Sequence, residues 1–218
     1  MTGTLWHEAP LVALDLEGSG AQDRDREAIL EIATVPIIDG KPDLAGAYCT
    51  LVNPGRLIPK RPWISPGLTN QVLRAAPALT AVEPALAQRI NGRYVVGHNI
   101  SVDWRLLQRR CPSIQPAGLI DTLRLARHLG ATPSNGLAPL ITTYDLTTKI
   151  SDLAVGSQPH RALWDSVAAA VLLATLIEQR WPSPPTIDQL TSIAGVSLHR
   201  PAATTLSDQP GLFGDDRT

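Results

Sequence analysis

The sequence predicts an α/β fold, a mixed sheet flanked by helices, and three observations carry that prediction. Short apolar runs bounded by turn residues come first, as buried strands do. Strand-like and helix-like segments then mix from about residue 68 onward. A long Ala- and Leu-rich stretch, Arg161 to Gln179, follows and reads as a helix lying on the sheet. The 218 residues, 44% of them hydrophobic, are enough to bury one real core. One domain is expected over residues 1–180, with an extension over 181–218.

The elements follow in order. Leu11-Val12-Ala13-Leu14 is a strand that ends abruptly in Asp15-Leu16-Glu17-Gly18-Ser19-Gly20. A polar insert, residues 21–27, leads to a second strand from Ile29 to Ile38. Asp39-Gly40 supplies a hairpin turn into a third strand around Tyr48 to Val52. Residues 55–66, rich in Pro, Arg and Gly, form an irregular surface segment. Leu and Ala recur at helical spacing from Leu68 to Ile90, and Pro77 and Pro84 divide that stretch into two short helices. Tyr94-Val95-Val96-Gly97 is a further strand, followed by a helix from Val102 to Arg110. Leu119-Ile120 precedes Asp121, which caps a helix through Arg127. A short helix is expected from Leu137 to Tyr144, the long one from Arg161 to Gln179, and a last turn or two from Thr186 to Ala194. From about residue 198 the chain has too little apolar material to fold alone and is expected to be flexible.

Composition narrows the function. A net charge of −1 provides no global basic field for holding duplex DNA, so a nucleic-acid partner would have to be held locally. The apolar stretch Val167 to Leu176 is about half of what a bilayer requires, and no charged-then-apolar leader opens the sequence. Cys49 and Cys111 make neither a metal spacing nor a disulfide framework. The expected setting is the reducing cytoplasm, with no membrane.

Three polar clusters stand out. Asp15 and Glu17, two residues apart at a strand end, point to one face. They are either a strand end meeting water or a pair of hard oxygen ligands suited to Mg²⁺ or Mn²⁺. Gly18-Ser19-Gly20 just after them would let a ligand approach the backbone closely. In the second cluster, Gly97-His98-Asn99-Ile100-Ser101-Val102-Asp103, a strand gives way to a helix with Asp103 in its first turn. By itself Asp103 could be a simple helix-terminal charge, and His98 a structural hydrogen-bonding histidine. The third cluster is His160-Arg161-Ala162-Leu163-Trp164-Asp165. Were both His160 and Asp165 helical, they would stand about 140° apart and could not share a site. They can share one if the helix begins at Arg161, which Pro159 favours.

Together and in this order the three clusters resemble the motifs of the DnaQ-like, or DEDDh, family of 3′–5′ exonucleases. The likeness runs from about residue 11 to 177 and includes Glu31-Ile32-Ala33 in the second strand. His160, where a sister branch has tyrosine, places it in the histidine branch. The resemblance implies a ribonuclease-H-like fold with a five-stranded mixed sheet. It implies removal of nucleoside monophosphates from 3′ ends, with Asp15, Glu17, Asp103 and Asp165 as metal-binding carboxylates and His160 as general base. Gly18, Ser19, His98 and Asn99 are the candidate substrate-contacting positions. Two positions depart from the family pattern: Gly18 replaces a threonine and Val102 a phenylalanine.

The chemistry suits these residues. Two Mg²⁺ or Mn²⁺ ions bridged by carboxylates can clamp the attacking and leaving oxygens of an in-line displacement at phosphorus. A histidine can take the proton of the attacking water. The favoured substrate is a single-stranded or frayed 3′ end of DNA, in proofreading or repair. The alternatives are an exoribonuclease acting on short RNA or RNA ends, and a non-catalytic clamp-bound adaptor.

Weaker signals remain. Arg56, Lys60, Arg61 and Trp63, with Arg105, Arg109 and Arg110, could form a basic track, although solvated surface arginines are the favoured reading. Trp104 and Trp164 are expected in the core. Gln209-Pro210-Gly211-Leu212-Phe213 resembles the short peptide that docks bacterial replication and repair proteins on the sliding clamp, with Gln209, Leu212 and Phe213 as anchors.

Overall fold

The computed structural model describes residues 3–21, 26–130 and 134–198. β1 (Leu11–Gly18) lies at the centre of a mixed sheet. It pairs antiparallel with β2 (Ile29–Ile38) on one side and parallel with β5 (Tyr94–Gly97) on the other. β5 pairs parallel with β6 (Gly118–Asp121). On the far edge of β2 lie two antiparallel neighbours, β3 (Lys41–Pro42) and β4 (Tyr48–Leu51). β7 (Gly195–Val196) closes the opposite edge against β6. Among the described residues the sheet thus has seven strands, the five expected and two of only two residues each.

The alternation of β1 sends its two faces into separate cores. Leu11 and Ala13 pack with Val35 and Ile37 against the long helix α7 (Ala162–Arg180). Val12, Leu14 and Leu16 pack with Ile32 against α2 (Leu79–Ile90) and α3 (Ser101–Arg110). Both cores are needed because the inner strands are buried on both faces. Around α7 cluster α4 (Thr122–Leu129), α5 (Leu137–Thr143) and α6 (Thr147–Leu153), with α8 (Ile187–Ala194) packed on α4. By length and composition α7 could cross a bilayer, but 67% of its most apolar window is buried in this fold. Trp104 and Trp164 are core residues, as expected.

Several expectations need correcting. Pro84 does not divide the helical stretch; only the Pro77 region does, between α1 (Asn70–Arg74) and α2. Pro84 sits on the exposed side of α2, where water can reach the Thr80 carbonyl that the ring leaves without its helical partner. The Asp39-Gly40 turn leads first into β3, and only then does the chain reach β4. α6 was not anticipated, since Ile150 is its one fully buried residue. Residues 186–196, expected outside the domain, belong to its core: Leu190 and Ala194 are buried, and the Ile187 N–H donates to the Thr4 carbonyl at 2.9 Å. Gln209, Leu212 and Phe213 lie outside the described residues.

Candidate active site

The site lies at the C-terminal end of β1, where both helical layers reach the sheet edge. Asp15 and Glu17 project from the face that α7 covers, and Asp165 comes up to them from the first turn of α7. Carboxylate oxygens of these three residues lie within 4.8 Å of one another. Asp103 enters from the other layer, on α3, and its Oδ1 accepts the Leu16 N–H at 3.3 Å. Gly97 makes that approach feasible: a Cβ there would lie 2.5 Å from Ile100 and 3.1 Å from the Leu14 carbonyl. A larger residue would push the start of α3 away from β1. A register shift between Glu17 and Gly18 interrupts the β1–β2 ladder just past the acidic pair, before its last pairing of Gly18 with Ile29.

The electrostatics describe a cluster short of positive charge. Burial, then Asp103, Asp165 and Glu17, push the Asp15 carboxyl well above its ordinary range. Burial raises Glu17 to about 7, although the Ser65 hydroxyl, donating to its Oε2 at 2.5 Å, pulls the other way. Asp103 rises to about 7, chiefly through burial, against the backbone N–H groups it accepts from. Asp165 rises to about 6 through burial, moderated by the charge of His160 and a backbone hydrogen bond from it. Carboxylates that are buried together and repel one another suit a hard divalent cation, whose charge would restore them to the ionised form. The donor set fits Mg²⁺ or Mn²⁺, with Asp15, Glu17 and Asp165 as its core and Asp103 beside it.

His160 is outside α7, as the sequence requires. It is exposed, and its φ of 65° is left-handed, uncommon for a residue with a side chain. The remaining candidates are placed differently. Ser19 is buried; its hydroxyl accepts the Ala28 N–H at 3.0 Å and holds the end of β1 to the start of β2. Gly18 faces Glu27 and Leu106. His98 Nδ1 lies 2.9 Å from the Thr122 hydroxyl, and burial lowers its pKa. The Asn99 N–H donates to Asp121 at 2.8 Å. Both residues thus brace the loop between β5 and α3 against the start of α4. In the basic track, Arg56 and Arg110 donate to the carbonyls of Arg26 and Glu27, while Arg61 stacks 5.3 Å from the ring centre of the exposed Trp63.

The sequence pointed to no role for Ser65, and it marked Glu31 only as part of the second strand. Ser65, in the irregular segment after β4, is buried against Glu17. Glu31 in β2 is buried opposite Glu17 and held by Arg161. A single charge inside the apolar run from Ile29 to Ile38 was the signal for Glu31; nothing local marked Ser65.

A mixed sheet with hard carboxylates gathered at the end of its central strand defines an α/β scaffold built for a divalent-metal site. More particularly, the chain belongs to the RNase T-type, DnaQ-like family of 3′–5′ exonucleases with a ribonuclease-H-like fold: the family model described as Exonuclease matches residues 12–173. It is similar to Exodeoxyribonuclease 10 of Escherichia coli, 28% identical, over 84% of this chain and 74% of that one. A DNA polymerase III subunit epsilon-like protein of Rhodobacter capsulatus is 31% identical over 76% of this chain and 23% of its own. Among solved structures, Exonuclease X in complex with 5′ overhanging duplex DNA superposes with a TM-score of 0.60 at 29% identity, over 84% of this chain and 98% of that one. The chain spans between 12% and 27% of the length of the first five curated relatives it matches.

Proposed function

We propose that this chain hydrolyses DNA from free 3′ ends, one nucleoside monophosphate at a time, in cytoplasmic repair or proofreading. The convergence of Asp15, Glu17 and Asp165 within 4.8 Å carries this reading, with His160 in the turn just before the helix that bears Asp165. Bound divalent ions would supply charge stabilisation at the scissile phosphate and an activated water. Asp15, Glu17, Asp103 and Asp165 would hold them. The His160 imidazole takes the proton of the attacking water, and its exposed position lets it turn toward a bound strand end. Asp15, Glu17 and Asp165 remain partly exposed, so a flexible 3′ terminus could reach them. DNA is favoured over RNA by the likeness to Exodeoxyribonuclease 10 and to a structure bound to DNA.

The test is a side-by-side digestion of matched 3′-labelled DNA and RNA oligonucleotides with Mg²⁺. Stepwise release of deoxynucleoside monophosphates, lost in excess EDTA, is the expected result. Preferential digestion of RNA would overturn the DNA assignment. Docking on the sliding clamp through Gln209, Leu212 and Phe213 is part of the same reading and rests on their pattern alone. The double change Leu212→Ala with Phe213→Ala should abolish clamp binding by calorimetry and leave activity on free oligonucleotides unchanged.

A further inference from the structure

We infer that Glu31 and Arg161 form a latch that positions His160 over the carboxylate cluster, an inference that rests on His160 being the general base. Glu31 is 3% exposed and directly opposite Glu17 in the β1–β2 ladder. Like charges facing across a sheet are unfavourable, and a buried carboxylate is costly unless fully paired. Its neighbours Leu30, Ile32 and Ala33 are buried and apolar, so packing alone gives no reason for a charge here.

The partners of Glu31 supply the reason. Its Oε2 accepts from Arg161 Nε at 2.8 Å and its Oε1 from Arg161 Nη2 at 2.7 Å, a two-pronged fork. Oε2 also takes the Ala162 N–H at 3.3 Å. That last contact caps α7, whose own N-cap side chain makes no capping bond. With both oxygens engaged, Glu31 is not a further metal ligand. It fixes the two residues immediately after His160.

His160 needs such a fixture. It is exposed, follows Pro159, and sits in a left-handed conformation that persists only where its surroundings impose it. On its other side the Arg161 N–H closes a turn onto the Gln158 carbonyl at 3.1 Å. The fork therefore ties the turn carrying the imidazole to the same sheet that carries Asp15 and Glu17. Arg161 is a positioning residue, acting on the reaction through its neighbour.

A double-mutant cycle tests the latch. Arg161→Ala should lower kcat by about 10- to 100-fold with KM for a single-stranded oligonucleotide changed by no more than about 2-fold, the scale of a misplaced catalytic group. Arg161→Lys should restore only part, because an ammonium cannot make the fork. In a His160→Ala background, Arg161→Ala should cost nothing further, since its effect passes through the imidazole. Without metal or substrate, Glu31→Gln should speed amide exchange at residues 158–162 while the middle of α7 keeps its protection. Unchanged exchange, a wild-type kcat in folded Arg161→Ala, or losses that multiply with those of His160→Ala would overturn the latch. Should Arg161→Ala fail to fold, Glu31→Gln takes its place in the cycle. A wild-type rate in His160→Ala alone would remove the base, and the latch with it, before any latch variant is measured.

Discussion

Asp121 and the acidic cluster around Asp15 both lie at C-terminal strand ends, of β6 and β1, and they are built on opposite principles. Asp121, ending β6, is 3% exposed, and its Oδ1 accepts from the Asn99 N–H at 2.8 Å and the Leu123 N–H at 2.9 Å. It caps α4 and joins two loops. Asp15, Glu17, Asp103 and Asp165 instead face one another, with pKa values raised by burial and, for Asp15, by the other three, although Asp103 also accepts backbone N–H groups and Glu17 the Ser65 hydroxyl. Burial alone therefore says little about an acid's task. Its surroundings say more: a lone carboxylate satisfied by N–H groups holds the fold, whereas a set of carboxylates facing one another suits a cation.

The largest test of that contrast is Asp15→Ala. It should abolish nuclease turnover while the metal-free melting temperature stays level or rises, because one member of a repelling set is gone. A large fall in melting temperature would place Asp15 with Asp121, among the fold-holding acids. His160→Ala comes next, with a rate loss of roughly 10²–10⁴-fold and Mg²⁺ affinity by calorimetry little changed. Asp121→Ala should show the opposite profile. Losing a helix cap and stranding the Asn99 N–H should cost about 1–3 kcal/mol in denaturant unfolding.

The smallest effect is on pH. In the metal-free folded chain Glu17 and Asp103 keep their protons up to about 7, whereas unfolded carboxylates lose theirs near ~4. Between those values the folded state holds more protons, so stability should fall as pH rises from about 4 to about 7 and then level off. Mg²⁺ should raise the melting temperature at pH 8 and barely at pH 5. Equal shifts at both pH values would show that these carboxyls do not titrate as a repelling set.

The sequence and the structure agree most closely where chemistry demands particular residues. Asp15 and Glu17 were legible because strand alternation puts them on one face, and His160 because Pro159 and the start of α7 exclude it from the helix. The inner strands were legible as uninterrupted apolar runs. What stayed hidden depended on distant partners. Ser65 meets Glu17 only through the path of a segment with no periodicity, and Ser19, a candidate substrate contact, is taken by Ala28. β3 and β7, two residues each, are strands only because β2 and β6 offer them an edge. Pro84 misled because proline's cost in a helix depends on whether water can reach the orphaned carbonyl.

The placement of α7 has a consequence for biosynthesis. Asp15 belongs to the central strand, translated early, whereas His160, in the turn before α7, and Asp165, on α7 itself, are translated late, and α7 packs on β1 and β2. A ribosome-borne chain that has emerged only through β6 carries Asp15, Glu17 and Asp103 but neither His160 nor Asp165. The carboxylate cluster of Asp15, Glu17 and Asp165 is therefore complete only once α7 has docked on the sheet.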